Sequence, residues 1–155
     1  MEKKRYRAGA IGRTGKGDFG HGLHTCYGDV DRVDFVAVAD EDPDGRRKAA
    51  EEAGAERSYA DYEEMLAKEH LDIVSVCPRW VDCHEEMVLA CVESGCHVYC
   101  EKPLTANLAS ADRIVDAAAR ADVKIAIAHQ AVYLPQVTAI REMLQEGRIG
   151  SLQSF

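Results

Sequence analysis

Three glycines in one short loop, Gly15, Gly17 and Gly20, are spaced as G-x-G-x-x-G. Glycine lets the backbone approach a pyrophosphate closely, and a helix that begins after such a loop offers unpaired N–H groups to the phosphates. Asp40 stands 20 residues after Gly20, where a carboxylate can accept a hydrogen bond from a ribose hydroxyl. The spacing therefore predicts a dinucleotide site. Its expected contacts are Gly12, Arg13, Thr14, Gly15, Gly17, Gly20 and Asp40.

The same loop partly matches a phosphate-binding P-loop, G-x-x-x-x-G-K-[ST], through Gly15 and Lys16. That match fails at two positions, because Ala10 stands where the first glycine is needed and Gly17 where the motif needs a hydroxyl for the metal. A P-loop is therefore not predicted.

The acidic residue at position 40 favours NAD over NADP as the cofactor. A carboxylate there accepts from the ribose 2′-hydroxyl and repels a 2′-phosphate. Glu41 and Asp42 add negative charge beside Asp40. Arg46 and Arg47 follow, but we expect the helix predicted there to carry both to its solvated face.

A second group of candidate residues follows the fifth apolar run, where Glu101, Lys102 and Pro103 are adjacent. The carboxyl ends of parallel strands form the ligand crevice of an open sheet, so Lys102 should point into it. A lysine there can donate to a substrate oxygen or take part in proton transfer. His129 and Gln130 end the sixth run at the same edge. They could border the nicotinamide or the substrate, and a packed role for His129 is equally open.

Alternating strands and helices must position these residues. Continuous apolar runs predict buried strands at 5–11, 33–39, 71–77, 96–100 and 123–128, with a weaker one at 56–59. A helix after the glycine loop should contain His21 and His24, and Asp82 with Glu85 resembles a capping box at the start of a later helix. The alternation predicts an α/β fold, a Rossmann-type doubly wound parallel sheet with helices on both faces.

The chain is expected to form one domain over residues 1–147. Residues 148–155 have the pattern of a turn followed by the first residues of another strand. They predict the start of a second domain, of α+β type, that this chain does not contain.

Composition limits the partners. The chain has 155 residues with 19 basic and 27 acidic side chains, a formal charge of −8. This excludes a duplex-binding protein that neutralises phosphates, so we expect no nucleic-acid partner.

No run of about 20 apolar residues could span a bilayer, and the basic start lacks the apolar region of a signal peptide. We therefore expect no membrane partner and a cytoplasmic location. The six cysteines match no zinc or redox spacing, and no metal site is predicted.

Several of these segments together resemble the Gfo/Idh/MocA oxidoreductases, a family that includes glucose-fructose oxidoreductase and inositol 2-dehydrogenase. The resemblance covers essentially the whole chain, and its Glu-Lys-Pro segment is the most specific part. Its segments are the glycine loop at 12–21, VAVAD ending at Asp40, SVCPRWVDCHEEM at 75–87, HVYCEKPLT at 97–105 and EGRIGSL at 146–152.

The resemblance implies that the chain is the NAD(P)-binding half of such an enzyme and that Lys102 belongs to the catalytic site. It also implies cofactor contacts at Pro78, Glu101 and Lys102, and it makes His84 a candidate for the nicotinamide or substrate edge. Family members carry Thr-Pro-Asn-x-x-His after the fourth strand. Here Cys-Pro-Arg-Trp stands at 77–80 and His84 comes two residues later, so a helix-start or surface role for His84 is as open as a site role.

In its full-length form, a protein of this family is expected to transfer a hydride between NAD and a hydroxyl carbon of a sugar, inositol or related polyol, as a homo-oligomer. Because the second domain does not follow Phe155, this chain alone is expected to be inactive. Two other functions stay open at this point. One is a non-catalytic nucleotide-binding or sensing domain. The other is an S-adenosylmethionine-dependent methyltransferase, which also uses a glycine loop and an acidic residue after the second strand.

Overall fold

The apolar runs form six strands in the computed structural model, which describes residues 4–154. The strands are Tyr6–Ile11 (β1), Val33–Ala39 (β2), Arg57–Tyr59 (β3), Ile73–Val76 (β4), His97–Cys100 (β5) and Ile125–Ile127 (β6). All neighbouring strands are parallel, in the order β3-β2-β1-β4-β5-β6. The predicted fold class is confirmed. Because the order reverses at β1, a crevice opens between the connections that leave β1 and β4.

Five α-helices lie within the described residues: Pro43–Ala53 (α1), Tyr62–Glu69 (α2), His84–Glu93 (α3), Leu108–Ala121 (α4) and Pro135–Gln145 (α5). Asp42, Asp61 and Asn107 cap α1, α2 and α4, since their side-chain oxygens accept N–H groups of the first turn. The caps satisfy donors that a helix start otherwise leaves unpaired. None of the described helices has the length and apolar character needed to cross a membrane.

Side chains of the sheet divide between two apolar clusters. In β2, Ala37 and Ala39 belong to the larger cluster, which includes residues of α2, α3 and α4. Val38 belongs to the smaller cluster, which includes residues of α1 and of the segment after the glycine loop. Since successive strand residues point to opposite faces, the helices cover both faces of the sheet.

The helix expected directly after the glycine loop is not formed, and this prediction was wrong. Residues 19–29 are a series of turns, for example one closed by Thr25 N–H donating to Gly22 O at 3.0 Å. Gly20 and Gly22 have φ angles of 63° and 79°, outside the right-handed helical region. His21 and His24 therefore lie on turns.

The structure also differs from the prediction at the start of α3 and at the end of the chain. Helix α3 begins at His84 without a side-chain cap, and Asp82 belongs to a short 3-10 helix, Val81–Cys83, that precedes it. Glu85 pairs with Arg113 of α4 instead of folding back on its own helix start. At the other end, residues 151–154 form no strand, and Phe155 lies outside the described residues.

Candidate functional site

The predicted site residues lie at one edge of the sheet because the strands end in register. The paired last residues of the strands are Ile11, Ala39, Val76, Cys100 and Ile127. Gly12, Asp40 and Glu101 each follow one of these residues. The connections that leave parallel strands begin at this edge, where open α/β sheets bind their ligands.

The glycine loop folds into a closed hairpin at this edge. The backbones of Arg13 and Asp18 exchange two hydrogen bonds of 3.1 Å, and the Asp18 carboxylate accepts from Gly15 N–H at 2.8 Å. Among residues 12–20 of the described structure, the backbone N–H groups of Gly17 and Phe19 have no hydrogen-bond partner. A phosphate could therefore bind these two groups without breaking a hydrogen bond of the loop.

The tip of the loop lies against the connection after β4. A Cβ atom on Gly17 would lie only 2.5 Å from the backbone nitrogen of Arg79. The Lys16 ammonium lies 3.4 Å from Asp82 Oδ2 and 5.7 Å from the centre of the Trp80 ring. The loop thus lies across the crevice between β1 and β4.

Asp40 anchors the loop to the end of β2. One carboxylate oxygen accepts from both the N–H and the hydroxyl of Thr14, each at 2.9 Å, and the other accepts from Asp42 N–H at 3.0 Å. Asp40 is only 3% exposed. It lines a cavity of about 260 Å³ whose apolar wall includes Ala39 and Met87. The predicted acidic residue is therefore in place beside a cavity, and it also holds the loop.

The two arginines after β2 differ in their placement. Arg47 lies on the exposed face of α1 with Asp44 and Glu51, as expected. Arg46 does not, because its Nη1 donates to Asp40 O at 2.6 Å. Side chains on a helix slope towards its N-terminus, so a residue of the first turn can reach back to the end of the preceding strand.

A larger cavity, of about 620 Å³, opens between residues 18–24 and helix α1. Buried His24 lines it, with its Nε2 atom 3.1 Å from Glu52 Oε2. No residue that follows β4 or β5 lines this cavity in the described structure. We therefore place the candidate site at the strand edge beside Asp40 and Lys102.

Lys102 lies on an exposed turn directly after β5, followed by a cis peptide bond to Pro103. Its backbone N–H donates to Glu101 Oε2 at 2.7 Å. In the part of the chain that the structure describes, its ammonium group has no hydrogen-bond or ion-pair partner. The amine is therefore free to meet a ligand at this edge.

Glu101 is completely buried under this turn. Besides Lys102 N–H, its carboxylate accepts from His21 twice, through the backbone N–H at 3.0 Å and through the ring Nδ1. Burial alone would favour the neutral acid, but the hydrogen bonds from His21 and Lys102 outweigh it and lower the pKa of Glu101. Glu101, predicted as a cofactor contact, presents no surface to a ligand here and instead contacts the glycine loop.

His84 is also completely buried. Its Nδ1 atom lies 2.8 Å from Pro103 O and 3.2 Å from Leu104 O, and its Nε2 atom lies 2.6 Å from Pro78 O. It therefore joins the connection after β4 to the turn after β5 from beneath. The side chains of both His84 and Pro78 are buried here, and their contact with cofactor or substrate stays a prediction.

His129 and Gln130 are exposed after β6, next to the Lys102 turn. Their contact with nicotinamide or substrate stays a prediction. The role of His21 has no signal in the sequence, because its partner Glu101 is 80 residues away and only the topology brings the two together. No group of three metal-binding side chains occurs in residues 4–154.

Comparison with known proteins gives the geometry a family context. Residues 8–129 match the family model GFO_IDH_MocA, described as "Oxidoreductase family, NAD-binding Rossmann fold". The chain is 32% identical over 121 residues to the myo-inositol 2-dehydrogenase of Thermotoga maritima, covering 78% of this chain and 36% of that protein. It is 30% identical over 148 residues to the D-apiose dehydrogenase of Paraburkholderia graminis, covering 96% of this chain and 38% of that protein.

Among solved structures, the chain is similar to the WlbA dehydrogenase of Chromobacterium violaceum in complex with NADH and UDP-GlcNAcA. The TM-score is 0.80 at 26% identity, and the match covers 97% of this chain and 42% of that one. The chain thus spans 36% to 42% of the length of these three proteins.

Proposed function

Because the chain belongs to the Gfo/Idh/MocA oxidoreductase family, we propose that it is the cofactor-binding domain of an NAD-dependent dehydrogenase. The substrate would be a sugar, an inositol or a related polyol, oxidised or reduced at a hydroxyl carbon. Support for this substrate class comes from the inositol and apiose dehydrogenases among its relatives. Family membership leaves the S-adenosylmethionine-dependent methyltransferase alternative without support.

One observation favours a catalytic function over nucleotide sensing. The unpaired ammonium of Lys102 is exposed at the sheet edge that also holds the glycine loop and Asp40. A purely nucleotide-binding domain needs no free amine there. An amine at this place can donate a hydrogen bond to the reacting oxygen of a substrate and favour negative charge on it.

The residues present fit the adenosine end of a dinucleotide. Asp40 is a buried acceptor at the wall of a cavity that has an apolar side, which suits a ribose and a base. The free N–H groups of Gly17 and Phe19 would hold the pyrophosphate. NAD, when bound, supplies the nicotinamide that accepts or donates the hydride.

Substrate binding needs more than the described residues offer. Since the chain spans 36% of its myo-inositol 2-dehydrogenase relative, the proposal includes a second domain, beginning at residues 148–155, that supplies further substrate contacts. The 155-residue chain alone should therefore bind NAD but turn over little or no substrate. The homo-oligomeric state and the cytoplasmic location stay predictions.

Calorimetric titration of the 155-residue chain with NAD⁺ and NADP⁺ tests the cofactor assignment. NAD⁺ should bind more tightly, because a 2′-phosphate would meet the Asp40 carboxylate. In Asp40→Ala, NAD⁺ affinity should fall about 10- to 100-fold, the usual cost of a hydrogen bond to a charged group, while NADP⁺ affinity falls much less.

Thr14→Val is the matched control, because it removes the hydroxyl that contacts Asp40 and keeps the carboxylate. It should retain the preference for NAD⁺. Tighter binding of NADP⁺ by the unmodified chain, or an unchanged preference in Asp40→Ala, would contradict the assignment.

A further inference from the structure

The glycine loop and the Lys102 turn are joined by one buried carboxylate. Glu101 accepts from His21 on the loop side and from Lys102 N–H on the turn side, and it has no exposed surface. A buried carboxylate that loses one of its donors is expensive to leave unpaired. The positions of His21 and of the Lys102 backbone are therefore tied to each other through Glu101.

The fold keeps this link short. A Cβ atom on Gly20 would lie 2.4 Å from Cys77 O and 2.8 Å from Glu101 Cγ, so the chain approaches Glu101 more closely at Gly20 than any other residue type allows. His21 comes next and turns both its N–H and its ring to the carboxylate. The link thus joins β1 to β5 across β4, which lies between them in the sheet.

The other side of the Lys102 turn is held independently. His84 lies within hydrogen-bond distance of the carbonyl oxygens of Pro103 and Leu104, and its second ring nitrogen contacts Pro78 O. These contacts fix the turn to the connection after β4, not to the glycine loop. Among the described residues, Glu101 is therefore the one that contacts both the glycine loop and the backbone N–H of Lys102.

We propose that Glu101 and His21 are positioning residues that couple the cofactor loop to Lys102. The inference rests on the proposed function, since it requires that the loop bind NAD. Binding at Gly17 and Phe19 moves or stiffens the loop, His21 carries that change to Glu101, and Glu101 transmits it to the N–H of Lys102. The amine is then placed for the substrate only when the cofactor site is filled.

The test measures the backbone amide resonance of Lys102 in the 155-residue chain labelled with ¹⁵N-lysine. Saturation with NAD⁺ should shift this resonance in the unmodified chain. In His21→Ala, the backbone N–H of residue 21 still donates to Glu101 and keeps the loop in place, so NAD⁺ affinity should change by less than about threefold. The NAD⁺-induced shift of Lys102 should fall to less than about half, because the ring contact is lost and only the backbone N–H of residue 21 still donates to Glu101.

A conservative variant separates coupling from general damage. In His21→Asn, the side-chain Nδ2 is as many bonds from Cα as the histidine Nδ1. It can therefore donate to the same oxygen of Glu101. This variant should restore most of the NAD⁺-induced shift of Lys102. Glu52→Gln is the control, because it changes the other histidine–carboxylate pair, with His24, which makes no contact with the Lys102 turn. It should leave the Lys102 shift unchanged.

The outcomes are distinct. If the unmodified chain does not bind NAD⁺, the proposed function fails and the inference fails with it. If NAD⁺ binds but the Lys102 resonance does not move, or moves equally in His21→Ala, the coupling is overturned while the proposed function stands. Loss of the shift in His21→Ala with recovery in His21→Asn would support the coupling.

Discussion

Two carboxylates at the ends of β2 and β5 hold the glycine loop from opposite sides. Asp40 accepts from Thr14 near the beginning of the loop, and Glu101 accepts from His21 at its end. Both acids are nearly or completely buried, so each needs the N–H groups that the loop offers. The glycine loop is therefore held near both of its ends by buried carboxylates.

Lys102 differs from these acids because its charged group is free. In the complete enzyme of the proposed function, Lys102→Ala should lower turnover by about 100-fold or more, the usual loss for an acid-base or oxyanion partner. NAD⁺ affinity should change only slightly, because the amine lies away from the adenosine end. Lys102→Arg should rescue poorly, since a guanidinium is larger and keeps its proton. Steady-state kinetics and cofactor titration measure both effects.

Lys124→Ala is a matched control, because Lys124 is also exposed but lies before β6, at the opposite edge of the sheet. It should leave turnover unchanged. Near-normal turnover in Lys102→Ala would contradict the catalytic role, and so would an effect that appears entirely as lower thermal stability.

At the scale of elements, the approach of the loop to β4 depends on Gly20. Gly20 and Gly54 both have positive φ, 63° and 69°, but a Cβ would meet Cys77 O at 2.4 Å on Gly20 and nothing within 4 Å on Gly54. Gly54→Ala should cost about 1–2 kcal/mol of unfolding free energy, the price of a left-handed conformation alone. Gly20→Ala should cost clearly more, because the loop must also move off the strand.

Urea unfolding of both variants measures the difference. Equal losses would mean that the backbone around Gly20 relaxes freely, and that the loop is not held as closely as its contacts indicate.

A second element, the carboxyl end of α2, is fixed by a buried acid. Glu69 accepts hydrogen bonds from Arg57, Tyr59 and Arg7, and the Arg57 contact is the main reason that the pKa of Glu69 is lowered. A carboxylate with a lowered pKa stabilises the fold above the ordinary glutamate pKa of 4.5. That contribution is lost as the pH falls through the lower, folded-state value.

Glu69→Gln should therefore cost about 2 kcal/mol at neutral pH, the range for hydrogen bonds to a charged group. It should also flatten the decline of stability between about pH 5 and pH 3, the range that spans the ordinary glutamate pKa of 4.5. Urea unfolding at several pH values measures both. Glu64→Gln, which alters an exposed pair with Lys68 on the same helix, serves as the control. A Glu69→Gln curve parallel to that of the unmodified chain would contradict the assignment.

The elements also show how far the sequence alone predicts this protein. Apolar runs such as VDFVAVA predict strands well, because the last four residues of β2 are buried on both faces and none of them is polar. The segment after the glycine loop differs from the predicted helix because Gly20 and Gly22 adopt left-handed φ angles that a helix does not use. Asp82 and Glu85 fit a capping box, yet tertiary partners, Lys16 and Arg113, compete for their charges.

The site was predictable to the extent that it depends on strand ends. Gly12, Asp40 and Lys102 follow apolar runs directly, and parallel strands bring such positions to one edge. The pairing of His21 with Glu101 and the inward direction of His84 were not predictable, since both depend on contacts between segments far apart in sequence.

At the scale of the whole molecule, the two faces of the sheet are covered unequally. Helices α2, α3 and α4 contribute to the larger cluster, whereas α1 and the turns after the glycine loop contribute to the smaller one. The edge strand β6 is covered least, since Ala126 in the middle of this strand is exposed to solvent. The parts of the chain that follow β6 are correspondingly poor in packing partners.

Helix α5 and the segment before it therefore present an apolar surface, which we expect to drive self-association. No residue of α5 is buried among the described residues, and Tyr133 and Ile140 are 84% and 52% exposed, near exposed Val132 and Leu134. Apolar groups clustered in this way favour a partner that removes them from water. The weight-average mass of the 155-residue chain, measured by light scattering, should rise with concentration.

Ile140→Lys should weaken this association roughly tenfold, because burying an isoleucine contributes about 1.5 kcal/mol or more and a lysine opposes burial. Val115→Lys is the control, since Val115 is similarly exposed, at 59%, but lies on α4. It should leave the association constant unchanged. A chain that stays monomeric at every concentration, or variants that weaken association equally, would show that the α5 surface does not drive assembly.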